Sequence, residues 1–338
     1  MQFNKLLFSI SMMIGTLISI SSYSWMGMWL GLEINLLSIV PLLSSTKNSL
    51  ASEAAMKYFI TQALASTILL FSIIMMSLNI SFLINDSMNY LILMLNTSLF
   101  MKMGAAPFHF WFPEIIEGLS WNNAFIMLTW QKIAPMILIS YSNFNMKYFI
   151  LIIIMSTIIS GIMGINQISM RKILAYSSIN HISWMLCSMI FFENLWMIYF
   201  FIYTLITLNI IIILKNYNIF FINQLFSILN NKSSIKFFFM LNFLSLGGLP
   251  PFLGFMPKWL TIQTMIESSF MLIPLTVIIM TLITLFFYLR ITLMALVLST
   301  NNLSFIKFFN TKYPFNIYFI NFISLMSLLL ITLMFNYN

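Results

Sequence analysis

The sequence predicts an all-α polytopic membrane protein, and three observations carry that reading. Of 338 residues, 61% are hydrophobic and 7% are charged, against about 25% charged in ordinary soluble domains. The apolar residues gather into runs close to the length of about 20 that a helix needs to cross a bilayer. Runs such as LILMLNTSLFM and YFILIIIMSTIIS show no alternation of period two. Helices, and not the strands of a closed barrel, therefore satisfy the backbone in lipid.

Eleven candidate spans follow in order, at 5–21, 25–46, 55–80, 87–106, 121–141, 147–168, 172–192, 195–215, 237–256, 271–296 and 315–336. The first carries Lys5, an apolar stretch and SSYS in the manner of a signal peptide, but ten further spans make a cleaved leader unnecessary. Between Lys215 and Lys236 the longest polar connection sets Phe221, Leu225, Ile228 and Leu229 at helical spacing. That pattern predicts an amphipathic helix lying on the membrane surface.

Two segments echo one another. GAAPFHFWFPE from Gly104 and GLPPFLGFMPK from Gly248 share the frame G-x-x-P-F-x-x-x-x-P followed by a charge, at an offset of 144 residues. They fall at the fourth and ninth spans, so the two copies are expected to run in opposite directions. Inverted repeats with Gly/Pro-broken helices point to a transporter's midplane site. The expected organisation is one membrane domain: a first five-helix repeat over 1–146, a second over 147–298, each with a broken helix, then a connecting loop and a final helix over 299–338.

The formal charge of +8 is a topology signal, because Lys and Arg collect in loops on one face of a membrane. Lys5, Lys47, Lys57, Arg171, Lys172, Lys215, Lys232, Lys236, Lys307 and Lys312 share that face, and Lys147 stands alone on the other. A nucleic-acid partner is not implied. The N-terminus is expected on the positive side and the C-terminus opposite.

Cys187 is the only cysteine, and His109 and His181 are the only histidines. Disulfides, iron–sulfur clusters and a Cys/His zinc site all lack ligands, and no G-x-G-x-x-G or P-loop is present. The chain is expected to hold no metal and no redox centre of its own.

Four charges are left inside or at the break of a span: Glu33, Lys102, Lys132 and Lys258. Each costs about 2.5 to 3.5 kcal/mol near the bilayer centre on insertion scales. Lys102 and Lys258 are near enough to span ends for the long stem to reach the interface. Lys132, amid FIMLTWQKIAPMILIS, has about 15 Å of hydrocarbon on either side. Pro107 and Pro135 are expected to free the carbonyls of Met103 and Gln131 beside these lysines, and freed carbonyls stabilise cations. A lysine desolvated by burial exchanges its proton more readily, and a nearby carboxylate opposes this. Glu33 approaching and leaving Lys102 would then act as a switch. His181, mid-span in AYSSINHISWML, is a candidate relay, while His109 is expected at the interface.

At LFMKMGAAPFHFWFPEI, LTWQKIAPM, RKILAYSSINHISWM and LSLGGLPPFLGFMPKW the chain resembles the antiporter-like membrane subunits of mitochondrial NADH:ubiquinone oxidoreductase, respiratory complex I, over essentially its whole length. The resemblance implies a proton-pumping module of the inner membrane, related to Mrp-type cation/proton antiporters. It assigns Glu33 as the buried glutamate, Lys102 and Lys258 as lysines of the two broken helices, Lys132 as the central lysine and His181 as the relay. It also implies that NAD(H), FMN, iron–sulfur clusters and ubiquinone are bound by other subunits of the complex. Expected partners are neighbouring antiporter-like chains, small hydrophobic chains and lipid, with the matrix on the positive face. Two rival readings stand beside it, a free-standing Mrp-type cation/proton antiporter and a purely structural membrane scaffold.

Overall fold

The computed structural model describes residues 2–45, 48–79, 85–142, 145–229, 233–297 and 321–322. Regular structure among them is helical, and the one extended contact is an isolated bridge between Ser169 and Phe221. Eight helical stretches among the described residues, with Trp121–Tyr141 counted as one, are long and apolar enough to cross a membrane. The expected eleventh span, 315–336, lies outside the described residues except for 321–322, as do Lys47, Lys232, Lys307 and Lys312. The chain divides into two compact units, Met1–Ile152 and Ile153–Asn338.

The first unit opens with α1 (Gln2–Ser21) and α2 (Trp25–Leu43), packed closely against each other. Glycine permits this approach. A Cβ on Gly31 would stand 2.5 Å from the Ser19 amide nitrogen, and one on Gly15 would stand 2.9 Å from that of Asn35. Small residues at such crossings replace the hydrophobic driving force that lipid removes. Ser24 caps α2, its Oγ accepting from the Gly27 amide at 3.2 Å. α3 (Ser49–Asn79) has 31 residues, about 46 Å of helix, and is tied to α2 by Trp29 Nε1 donating to the Ser66 carbonyl.

α4 (Asn85–Met103) stops short of the expected boundary at 106. Short α5 (Trp111–Gly118) follows the break and packs on α3. The fifth expected span is two helices, α6 (Trp121–Leu128) and α7 (Trp130–Tyr141). They part at Thr129, with φ of −119° and ψ of −72°, whose Oγ1 bonds back to the Phe125 carbonyl. Pro135 lies inside continuous α7, where its missing N–H leaves the Gln131 carbonyl without that intrahelical donor. α8 (Met146–Ile165) runs across the boundary of the two units.

The second unit is built around α9 (Met170–Phe191), in which every residue from Ile173 to Met189 is buried. Its serines are accommodated by bonding back to their own helix, as Ser177 does to Leu174 and Ser183 to Asn180. Around it pack α10 (Glu193–Asn216), α13 (Phe255–Glu267) and α14 (Leu272–Val297), with α12 (Ser233–Gly247) against α10 and α14. α12 ends well before the expected 256. The helix expected between 215 and 236 is α11 (Ile222–Leu229). It buries Ile222 and Leu225; Phe221, just before it, is exposed and its backbone pairs with Ser169. The expected face is thus shifted by one residue at its start, and the side chains of Ile228 and Leu229 lie outside the described ones.

Candidate functional site

The two echoed segments share one backbone frame. Gly104 and Gly248 take φ values of +75° and +78°, a left-handed conformation that glycine adopts without penalty. In the first copy Gly104 N bonds to Met101 O, Ala105 N to Phe100 O, Phe108 N to Ala105 O and Phe112 N to His109 O. In the second, Gly248 N bonds to Ser245 O, Leu249 N to Leu244 O, Phe252 N to Leu249 O and Met256 N to Leu253 O. Each bond matches its counterpart at the same offset of 144 residues. The helix break at Gly104 thus precedes Pro107, so α4 has ended before proline could free the Met103 carbonyl.

Lys102 lies in the last turn of α4 and is 6% exposed. The negative end of the helix dipole favours a cation there. It lines a cavity of about 10 Å³ with Leu32, Asn35, Tyr58, Gln62, Gln131 and others, space for about one water molecule. Gln62 Nε2 donates to the Lys102 carbonyl at 3.4 Å, and Trp111 Nε1 donates to Met101 O at 3.2 Å. The first bond serves a carbonyl in the last turn of α4, and the second adds a donor to a carbonyl that already accepts from Gly104 N. Glu33 does not line the cavity. It is half-buried with Oε1 unbonded among the described residues, close enough for its charge to act on Lys102 and Tyr58, and no ion pair joins it to Lys102.

Lys132 is 1% exposed in the first turn of α7, its Nζ 5.6 Å from the centre of the Phe112 ring. Lys258 is 7% exposed, in the first turn of α13. It reaches back across the second break, and Nζ donates to Leu246 O at 3.2 Å and Gly247 O at 2.9 Å. The same Nζ stands 5.7 Å from the Trp184 ring, at cation–π distance. At the offset of 144 residues Leu246 corresponds to Lys102, so the repeat puts an amine at the end of each half-helix from different positions. One lysine belongs to the helix before the break and the other to the helix after it.

His181 lies one turn of α9 from Trp184 and is buried. Its Nδ1 meets Tyr199 OH at 2.9 Å, and its ring packs on Tyr203 at 5.0 Å. His181, Tyr199, Tyr203, Leu246, Gly254 and Pro257 border a second cavity of about 10 Å³. So the second unit brings His181 to the break that Lys258 spans, and the first brings Lys102 and Glu33 near each other. His109, expected at the interface, is 2% exposed and stacks on Phe110; the turn after Gly104 folds it inward.

The sequence reading passed over the neutral partners, Asn35, Tyr58, Gln62, Gln131, Trp184 and Tyr199. Asn35 and Gln131 exchange two amide hydrogen bonds at 3.1 and 3.0 Å across 96 residues of sequence. The amides and phenols among these partners are legible as polar groups in mid-span, since each needs a partner in hydrocarbon; Trp184 carries no such signal.

Fold and buried cations define a polytopic helical membrane protein. The chain belongs to the family described as NADH:quinone oxidoreductase/Mrp antiporter, TM, whose model matches residues 22–284. It is 48% identical over 337 residues to NADH-ubiquinone oxidoreductase chain 2 of Anopheles gambiae, covering 97% of both chains. With chain 2 of Locusta migratoria it shares 49% identity over 298 residues, 88% of this chain and 86% of that one. A chain in the structure of respiratory complex I from Thermus thermophilus with bound aureothin superposes with a TM-score of 0.84 at 21% identity. That match covers 96% of this chain and 78% of the other, and it is a likeness of fold.

Proposed function

We propose that this chain is an antiporter-like core subunit of respiratory NADH:ubiquinone oxidoreductase. It contributes proton translocation across the mitochondrial inner membrane, coupled to NADH oxidation and ubiquinone reduction in other subunits. NAD(H), FMN, iron–sulfur clusters and ubiquinone belong to those subunits, and this chain holds no redox centre. Neighbouring antiporter-like and small hydrophobic chains flank it. In this reading it has eleven spans, with two five-helix units in inverted repeat and a final helix, the N-terminus in the matrix and the C-terminus in the intermembrane space. The common backbone frame at Gly104 and Gly248 and the division at Ile152 support the repeat.

Three buried lysines carry the functional reading, in a chain whose relatives of nearly equal length are subunits of that oxidoreductase. Lys102 takes and releases protons under the influence of Glu33, Lys132 passes charge onward, and Lys258 with His181 handles it at the second break. An electrical driving force of about 2.3 kcal/mol per charge per 100 mV is comparable with the cost of moving one such charge within the membrane.

The test is the number of protons pumped per electron by assembled complex carrying Lys132→Met or Lys102→Met. A lower ratio or rate is expected in both. Wild-type stoichiometry and rate would remove the residue from the path. The Mrp half of the family description favours one alternative, a free-standing antiporter. Such a protein purifies and exchanges ions alone, whereas a complex subunit purifies with many partners. A scaffold predicts altered assembly with normal turnover per assembled complex.

A further inference from the structure

We propose that Asn35, Gln131 and Tyr58 form a lock on the Lys102 cavity that withholds proton transfer until Gln131 turns; this rests on the proton-carrier reading above. Gln131 Oε1 accepts from Asn35 Nδ2 at 3.1 Å and from Tyr58 OH at 3.2 Å, while Gln131 Nε2 donates to Asn35 Oδ1 at 3.0 Å. A carbonyl oxygen has two lone pairs, so both sites on Gln131 Oε1 are taken. Carboxamides give and receive hydrogen bonds but do not ionise as acids or bases among protein side chains.

The three residues come from α2, α3 and α7 and are all buried. They present Lys102 with a wall that holds its own protons in place. The Tyr58 hydroxyl proton is directed at Gln131 and not toward the cavity. Lys132, next in sequence to Gln131, has its amine near Phe112. With room for about one water beside Lys102, a proton leaving that lysine meets an amide pair whose Gln131 oxygen already accepts two hydrogen bonds. Rotating Gln131 breaks all three bonds together, so the open wall is a minor state. Gln131 is therefore a positioning residue.

The experiment uses the assembled complex in sealed vesicles, with two readouts per complex: passive proton leak under an imposed pH gradient without NADH, and protons pumped per NADH. Gln131→Glu keeps the side chain's length and puts an ionisable oxygen in place of Nε2. Tyr58→Phe deletes one bond and adds no charge. In both, leak rises roughly five-fold or more, the change in open population that one lost hydrogen bond produces, and pumping per NADH falls. Wild-type leak and wild-type pumping in both variants overturn the lock. Lys102→Met separates the two readings. If it lowers pumping while the lock variants match wild type, the lock is wrong and the carrier reading stands. If it too pumps as wild type, the carrier reading fails and takes the lock with it. Should Gln131→Glu not assemble, Tyr58→Phe decides.

Discussion

Lys258 shows how one side chain is made tolerable in hydrocarbon. Its stem packs beside Gly248, where a Cβ would lie 2.8 Å from Lys258 Cδ, and its amine rests on the last carbonyls of α12 at the dipole's negative end. Gly248→Ala is therefore expected to act twice, through the left-handed backbone at about 1 to 2 kcal/mol and through displacement of the lysine. Pumping per electron should fall further than the amount of assembled complex does. Gly254 is the more sensitive position, because a Cβ there would stand 1.8 Å from the Ser245 carbonyl oxygen, and neither partner is a flexible side chain. Gly254→Ala is expected to cost about 3 kcal/mol, read as a drop in the thermal midpoint or the yield of intact complex on a native gel.

At the scale of the helix, the apolar runs were legible because lipid demands nearly unbroken apolarity over a fixed length. The breaks at Gly104 and Gly248 were legible as the repeated G-x-x-P-F frame, although proline drew the attention and glycine makes the turn. The break at Thr129 was not. At that break Thr129 Oγ1 bonds back to Phe125 O, and Pro135 lies six residues further on inside α7. The lysines and Glu33 could be read from charge alone, but the Asn35–Gln131 pair joins helices distant in sequence, and no local pattern encodes it. Helix contacts carry a further prediction. Gly31→Val must separate α1 from α2, since the new Cβ meets the Ser19 backbone. Destabilisation of about 1 to 3 kcal/mol is expected, and faster thermal inactivation of the complex would show it; unchanged inactivation would mean that α1 tolerates displacement.

For the molecule as a whole, the distribution of basic residues predicts an orientation that labelling can test. Lys5→Cys and Lys147→Cys are expected to react with a membrane-impermeant maleimide from opposite sides of the membrane, Lys5→Cys from the matrix; the native Cys187 is buried. Labelling of both from one side would contradict an odd number of crossings between them. The bond from Lys258 to Leu246 and Gly247 also bears on how the chain moves. A side chain on one segment tethers the end of another, so the reach of a single lysine sets the slack in a joint. Without that amine the tether is gone and the two segments gain play. Isotope-edited infrared bands of those two peptide groups are therefore expected to shift in Lys258→Met, and unchanged bands would mean that the joint holds without its strap.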